Sequence, residues 1–236
     1  MYRLAVLNAV ALVLFMPVSH AGSVPLVGID PGAVYSISFD EPNTDGMWGW
    51  TFYVHSPVVV THVAWYDEGG DGLSHSHRIG LWKDLSGSVN WPFVSATQNE
   101  QILKTGVNDS VVVPAGDGAE LVNGLWRRRA LPNGPIVLSP GGYALGGLDS
   151  ATSADAIRYH LAWVPSGVQF PTDPRIEIGA PSYSGSSGFQ FPGFHILVDG
   201  VELGPMLFVQ PIPESATLTL AGLSMGGLFI LRSQRA

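Results

Sequence analysis

From Trp48 to Val54 the chain alternates, with Trp48, Trp50, Phe52 and Val54 on one side and Gly49, Thr51 and Tyr53 on the other. A period of two built from aromatic and β-branched residues predicts a half-buried strand. Ser56-Pro57 ends it, and Val58 to Tyr66 is then apolar at almost every position. A run with no polar face predicts an inner strand covered on both sides, as in a sandwich. Asp67 to Ser76 reads as a polar loop and Arg78 to Trp82 as the returning strand.

Beyond this unit, no window of about a dozen residues shows helical periodicity. Short strand-like runs recur instead: Val34 to Phe39, Ser110 to Val113, Leu125 to Arg128, Ile136 to Leu138, Tyr143 to Leu148, Ile157 to Val164, Ile176 to Ile178, Phe194 to Val198 and Pro205 to Val209. Turn chemistry separates them, as in Pro132-Asn133-Gly134-Pro135 and Ser139-Pro140-Gly141-Gly142, and Asp199-Gly200 is a hairpin signal. Pro181 to Pro192 reads as one long flexible loop. The expected fold is all-β: residues 22 to 210 form a single β-sandwich of jelly-roll or immunoglobulin-like type, with no repeat and no second domain.

Composition narrows the chemistry. Of 236 residues none is Cys, so disulfides, thiolate metal sites and cysteine nucleophiles are excluded. Only 13% are charged, while Gly (29) and Pro (18) are plentiful, as turn-rich β domains require. Residues 22 to 210 keep 8 of the 11 basic and 18 of the 19 acidic residues, a net charge of −10. That charge repels phosphate backbones and argues against a nucleic-acid partner.

The two ends of the chain read as addresses. Arg3 precedes a run from Leu4 to Met16 that is apolar except for Asn8, and Ser19-His20-Ala21 offers small residues around a cut after Ala21. Residues 1 to 21 are therefore expected to be a signal peptide, since about 13 residues are too few to span a bilayer. At the other end, Pro211-Ile212-Pro213-Glu214-Ser215 is followed by the uncharged run Ala216 to Leu231 and by Arg232-Ser233-Gln234-Arg235-Ala236. About 16 residues make a helix of about 24 Å, a short span of a hydrocarbon core, with the arginines on its cytoplasmic side.

That order of Pro-Glu box, apolar helix and basic end resembles the PEP-CTERM sorting tail of Gram-negative bacteria, with Ser215 where a second proline is usual. The resemblance implies a box at 211 to 217, a membrane helix at 216 to 231, a basic end at 232 to 236, and an exosortase as processing partner. Its motif residues are Pro213, Glu214, Ser215, Arg232 and Arg235. Gly226-Gly227 resembles a rhombosortase box but lies inside the apolar run rather than before it. Gly222-Leu223-Ser224-Met225-Gly226 has the spacing of a nucleophile elbow, yet no His follows residue 195 to serve as base. The ectodomain is also similar to an uncharacterised β-sandwich domain of PEP-CTERM surface proteins. The matching residues are Gly49-Trp50, Asp67, Gly70-Asp71-Gly72-Leu73, Ser76-His77 and Gly80-Leu81-Trp82, then Leu121-Val122-Asn123-Gly124 and Leu138-Ser139-Pro140-Gly141-Gly142-Tyr143. This likeness implies a fold and a location but no activity.

Three clusters are candidate sites. Asp67, Glu68 and Asp71 supply hard oxygens among glycines, so a structural Ca²⁺ is weighed against an acidic turn solvated by water. No other cofactor is expected. His75 and His77 with Asp71 would make three of the four contacts of a zinc site, against the plainer reading of solvated imidazoles. In Arg127-Arg128-Arg129, strand alternation sends two side chains outward and one inward, where a buried guanidinium needs an acidic partner. The outward arginines would suit an acidic polysaccharide. Trp91, in Val89-Asn90-Trp91-Pro92, is the candidate for stacking on a sugar, whereas most of the seven tryptophans are expected in the core. The readings that follow are an exported, non-enzymatic surface or matrix protein associated with exopolysaccharide or biofilm, a carbohydrate-binding adhesin, and an extracellular hydrolase. The first is preferred, with localisation passing from the inner membrane to the cell surface or matrix.

Overall fold

A computed structural model describes residues 22–26, 45–87, 92–103, 110–150, 152–153, 155, 158–161, 173–185, 188–195 and 200–210. The leader, the strand expected at Val34 to Phe39, Trp91 and the whole tail, with Pro213, Glu214, Ser215, Arg232 and Arg235, lie outside the described residues. Every regular element among the described residues is a strand, all pairing is antiparallel, and Ser23–Pro211 form one compact unit. No described helix is long and apolar enough to cross a membrane.

The strands form two large sheets. One has the order β1 (Val24–Pro25), β15 (Pro205–Val209), β3 (Val58–Tyr66), β8 (Trp126–Ala130) and β7 (Glu120–Val122), with β9 (Ile136–Leu138) also on β3. The other runs β13 (Phe194–His195), β12 (Ile176–Ser184), β2 (Gly46–Val54), β10 (Gly141–Asp149), β4 (His77–Asp84) and β5 (Asn99–Gln101), with β6 (Val111–Val113) on β4. A two-stranded ribbon pairs β11 (Arg158–Leu161) with β14 (Gly200–Leu203). The apolar run Val58–Tyr66 is an inner strand, bonded to β15 on one side and to β8 and β9 on the other. The chain changes sheet at His55 to Pro57 and again across the polar loop 67–76, so β2 and β4 flank β10 while β3 belongs to the opposite sheet.

One difference from the sequence reading concerns Pro181 to Pro192. Strand β12 continues through Pro181 to Ser184, and its register on β2 shifts between Ile178 and Pro181. A bulge spares a ladder hydrogen bond where proline has no N–H to give, so proline here does not end the strand. Segment 188–194 then folds over the outer face of this sheet. Gly80, paired with Gly146, leaves room there: a Cβ at Gly80 would lie 2.5 Å from Trp82 Cη2 and 2.7 Å from Phe189 Cζ.

Both sheets contribute to one core whose largest fully buried side chains include Trp50, Trp65, Trp126, Tyr143, Phe52 and Phe208. Trp50 Nε1 donates to Pro205 O across the core at 3.3 Å, and Phe52 stacks on Tyr143 at 5.4 Å. Trp65, from the first sheet, presses its ring on the backbone of Gly147 in the second. An ideal Cβ at Gly147 would sit 2.2 Å from Trp65 Cζ3. Gly147→Ala should therefore cost at least about 1–3 kcal/mol, the usual range for overpacking. The loss, read by urea unfolding, should shrink in a Trp65→Leu background if the clash with this ring is its cause.

Candidate functional site

The loop 67–76 leaves the end of β3 and is folded around two buried polar knots. The first is centred on Arg127, which strand alternation turns inward from β8. Its Nε donates to Asp67 Oδ2 at 2.6 Å, Nη2 to Gly70 O at 2.8 Å and Nη1 to Ala119 O at 3.3 Å. Asp67 Oδ2 also accepts from Gly72 N at 3.1 Å, and both charged side chains are buried. A charged pair shut away from water needs its remaining donors satisfied, and the loop's own carbonyls do this. The path demands glycine: Gly69, Gly70 and Gly72 all have positive φ, and Gly72 approaches the backbone of Gly116, where Leu73 forms an isolated bridge.

The second knot is centred on His77, the first residue of β4. Its ring is fully buried and lies parallel to the Trp65 indole, 3.8 Å away with 4° between the planes. Nε2 is 2.7 Å from Asp155 Oδ2, and Nδ1 is 3.5 Å from Asp149 Oδ1 and 3.4 Å from Leu148 O. Asp155 also accepts from Ser74 N at 2.7 Å, His75 N at 3.2 Å and Ser153 Oγ at 3.1 Å. Burial opposes its ionisation, but the hydrogen bond from His77 and those from Ser74 and His75 outweigh that and hold the carboxyl far below the usual range. Asp155 is therefore an ionised acceptor, and Nε2 carries the proton it donates. Asp149 behaves oppositely. Burial pushes its carboxyl up, the charge of Asp155 adds to this, and His77 and the Ser150 and Ser153 hydrogen bonds only partly offset it.

Outside the knot, His75 lies between two hydroxyls. Ser74 Oγ is 3.0 Å from Nδ1 and Thr152 Oγ1 is 3.2 Å from Nε2. The first distance would suit a serine and its base, but the far nitrogen meets a hydroxyl rather than the carboxylate that orients a catalytic imidazole. What the cluster achieves is attachment: Asp155, with Ser153 beside it, is tied to loop 67–76 and to β4.

The candidate residues thus fall in different places. Of the three candidate calcium ligands, Asp67 points inward to Arg127, while Glu68 and Asp71 are exposed on the loop. Among the described residues no group of three or more His, Cys, Asp or Glu converges as metal ligands would. His77 meets Asp155 and Asp149 rather than Asp71. On the outer side of β8, Arg128 forks onto Glu120 (2.9 and 2.7 Å), whereas Arg129 shares the face of Arg127 at the exposed end of the strand, where its Nη1 donates to Val112 O of β6 at 2.5 Å. They border an open groove of about 560 Å³ with His62. Burial lowers the His62 pKa, with the charge of Arg128 adding and Glu120 opposing. Sequence reasoning missed Asp149 and Asp155, because no local pattern links them to a histidine 72 and 78 residues earlier in the chain.

The chain matches no protein-family model, no curated protein and no solved structure.

Two outcomes are expected at the knots. Arg127→Ala should destabilise by about 3–5 kcal/mol in urea unfolding, because Asp67 is left buried and unpaired, whereas Asp67→Leu with Arg127→Met should cost much less. The pH profiles of the aspartates should diverge. The folded-state pKa of Asp155 is depressed, so its contribution is complete above its unfolded value and is lost as pH falls from about 4. That of Asp149 is raised, so its contribution is present in acid and lost as pH climbs through the raised value. Melting curves of Asp155→Asn should therefore approach wild type in acid, while those of Asp149→Asn should gain on wild type as pH rises from about 4 to 7.

Proposed function

We propose that the chain is an exported, non-enzymatic protein of the cell surface or extracellular matrix of a Gram-negative bacterium, sorted through its C-terminal tail. Its ectodomain is a β-sandwich of jelly-roll or immunoglobulin-like type. The observation that carries this reading is where the folded unit closes. It spans Ser23–Pro211, and the outer strand β1 pairs with β15 so that Val24 lies opposite Val209. The domain thus closes two residues after the expected leader cut and just where the Pro-Glu box begins. Removal of leader and tail would leave the paired ends intact.

The exit is firmly held. Gln210 N donates to Val59 O at 2.9 Å, and Gln210 O accepts from Arg175 Nη2 at 3.3 Å. Arg175 also donates to Pro57 O at 2.9 Å and is gripped by Asp173, whose hydrogen bonds with Arg175 outweigh burial and keep its carboxyl below the usual range. The strand ladder is thus held up to Gln210, immediately before the segment 211–217 on which a processing enzyme would act. The internal pairing of Asp67 with Arg127 and of Asp155 with His77 supports an architectural role for the loop 67–76. A second reading, a carbohydrate-binding module, is favoured by a groove described below.

Intact mass spectrometry of the protein from its native host should give a C-terminus between Pro213 and Ser215, replaced by Ala236 when the exosortase is deleted. The same terminus in both strains would overturn sorting by that route.

A further inference from the structure

A groove of about 570 Å³ opens where β12 meets β13, and Ala96, Tyr183, Ser184, Gln190, Phe191 and Phe194 line it. Three aromatic residues lie in register across the strands that lead into it. Trp48 is the cross-strand partner of Tyr183, and Tyr183 of Phe194. The Trp48 and Tyr183 rings stack at 5.7 Å with 21° between planes, and Phe194 tilts against Tyr183 at 4.7 Å. Phe191 enters from segment 188–194 and is fixed edge-on to Trp82 at 5.8 Å. The row ends in the open, since Phe194 is 59% exposed. An apolar ring held at the surface by packed neighbours offers a face to a ligand at little entropic cost.

The chemistry of the lining selects the ligand. Rings supply flat faces with a negative quadrupole, which suit the C–H face of a pyranose. Gln190 supplies an amide and Ser184, which accepts from its Nε2, a hydroxyl for the rim of sugar hydroxyls. None of the described lining residues is charged, and the domain around them carries a net charge of −10. A polyanion would be repelled and would find no cation in the groove, so charge complementarity favours an uncharged chain. We propose that this groove binds a neutral polysaccharide by stacking on Tyr183, Phe191 and Phe194. The ligand class rests on the matrix-protein reading, but binding by the purified chain does not depend on whether the tail is processed.

Affinity electrophoresis of the full-length chain in gels containing dextran, xyloglucan, galactomannan or the neutral exopolysaccharide of its host tests this, with alginate as the acidic polymer. At least one neutral polymer should retard the chain, alginate should not, and Phe194→Ala should weaken retardation about 5- to 10-fold. Phe194→Trp should restore it. The exposure of Phe194 means its removal leaves the core intact, which an unchanged melting temperature would verify. The proposal is overturned if no neutral polymer retards the wild type, if retardation is equal in wild type, Phe194→Ala and Tyr183→Ala, or if alginate alone retards the chain. It is also overturned if the groove takes up only the apolar dye ANS, as a protein-docking surface would. Loss of sugar binding with normal tail processing would leave the sorting proposal standing.

Discussion

The contact between Trp65 and Gly147 fixes how the two sheets can meet. A large indole from one sheet lies on the bare backbone of the other, and no side chain fits between them. Gly204 gives the same ring room on another side, where a Cβ would come within 3.2 Å of Trp65 Cη2. Because interiors pack to near crystal density, a ring seated this way sets both the spacing and the lateral register of the sheets. His77 then has a flat apolar wall to lie on, and the positions of its two carboxylate neighbours follow from that seat.

The two knots at this end show how buried charge can define structure without adding much net stability. Desolvating Asp67 and Arg127 costs about as much as their attraction returns, so a well-packed apolar pair would hold the fold at least as well. What the ions add is direction. The guanidinium accepts only one path for the loop around it, because Gly70 O and Ala119 O must reach its remaining donors. Asp155 does the same for Ser74, His75 and His77, taking four donors from loop 67–76, β4 and its neighbour Ser153. Loops rich in glycine would otherwise sample many conformations.

How much of this was legible in the sequence depended on whether the signal was local. The alternation from Trp48 to Val54 and the apolar run Val58–Tyr66 gave β2 and β3 as strands directly, because period is a property of neighbours; the burial of β2 differs from the half-buried expectation, since Gly49 and Thr51 are buried too. Alternation with two arginines outward and one inward in 127–129 would turn the middle one in, whereas Arg127 is the buried one and Arg128 faces outward onto Glu120. The partner of Arg127 was not legible. The carboxylate of Asp67 stands out in an acidic, glycine-rich loop and reads as an oxygen ligand, while the cation that occupies it comes from a strand 60 residues on. Pro181 misled for a related reason, since proline ends a strand unless the partner strand accommodates a bulge, and the partner is more than 100 residues distant. The aromatic groove was hidden with it, inside a stretch that composition alone assigns to a loop.

The place of β15 bears on when the domain can form. It lies between β1 and β3, and Pro205 pairs with Trp65, about 140 residues earlier. Until β15, the last described strand, has been synthesised and carried across, β3 keeps an open hydrogen-bonding edge. Topologies closed by such distant pairings fold slowly, and their exposed strands invite association. A chain built this way cannot complete its core before Pro205–Val209 has joined β3. The same delay leaves the β3 edge open to pairing with another chain in the meantime, so strand order alone sets a window in which association competes with folding.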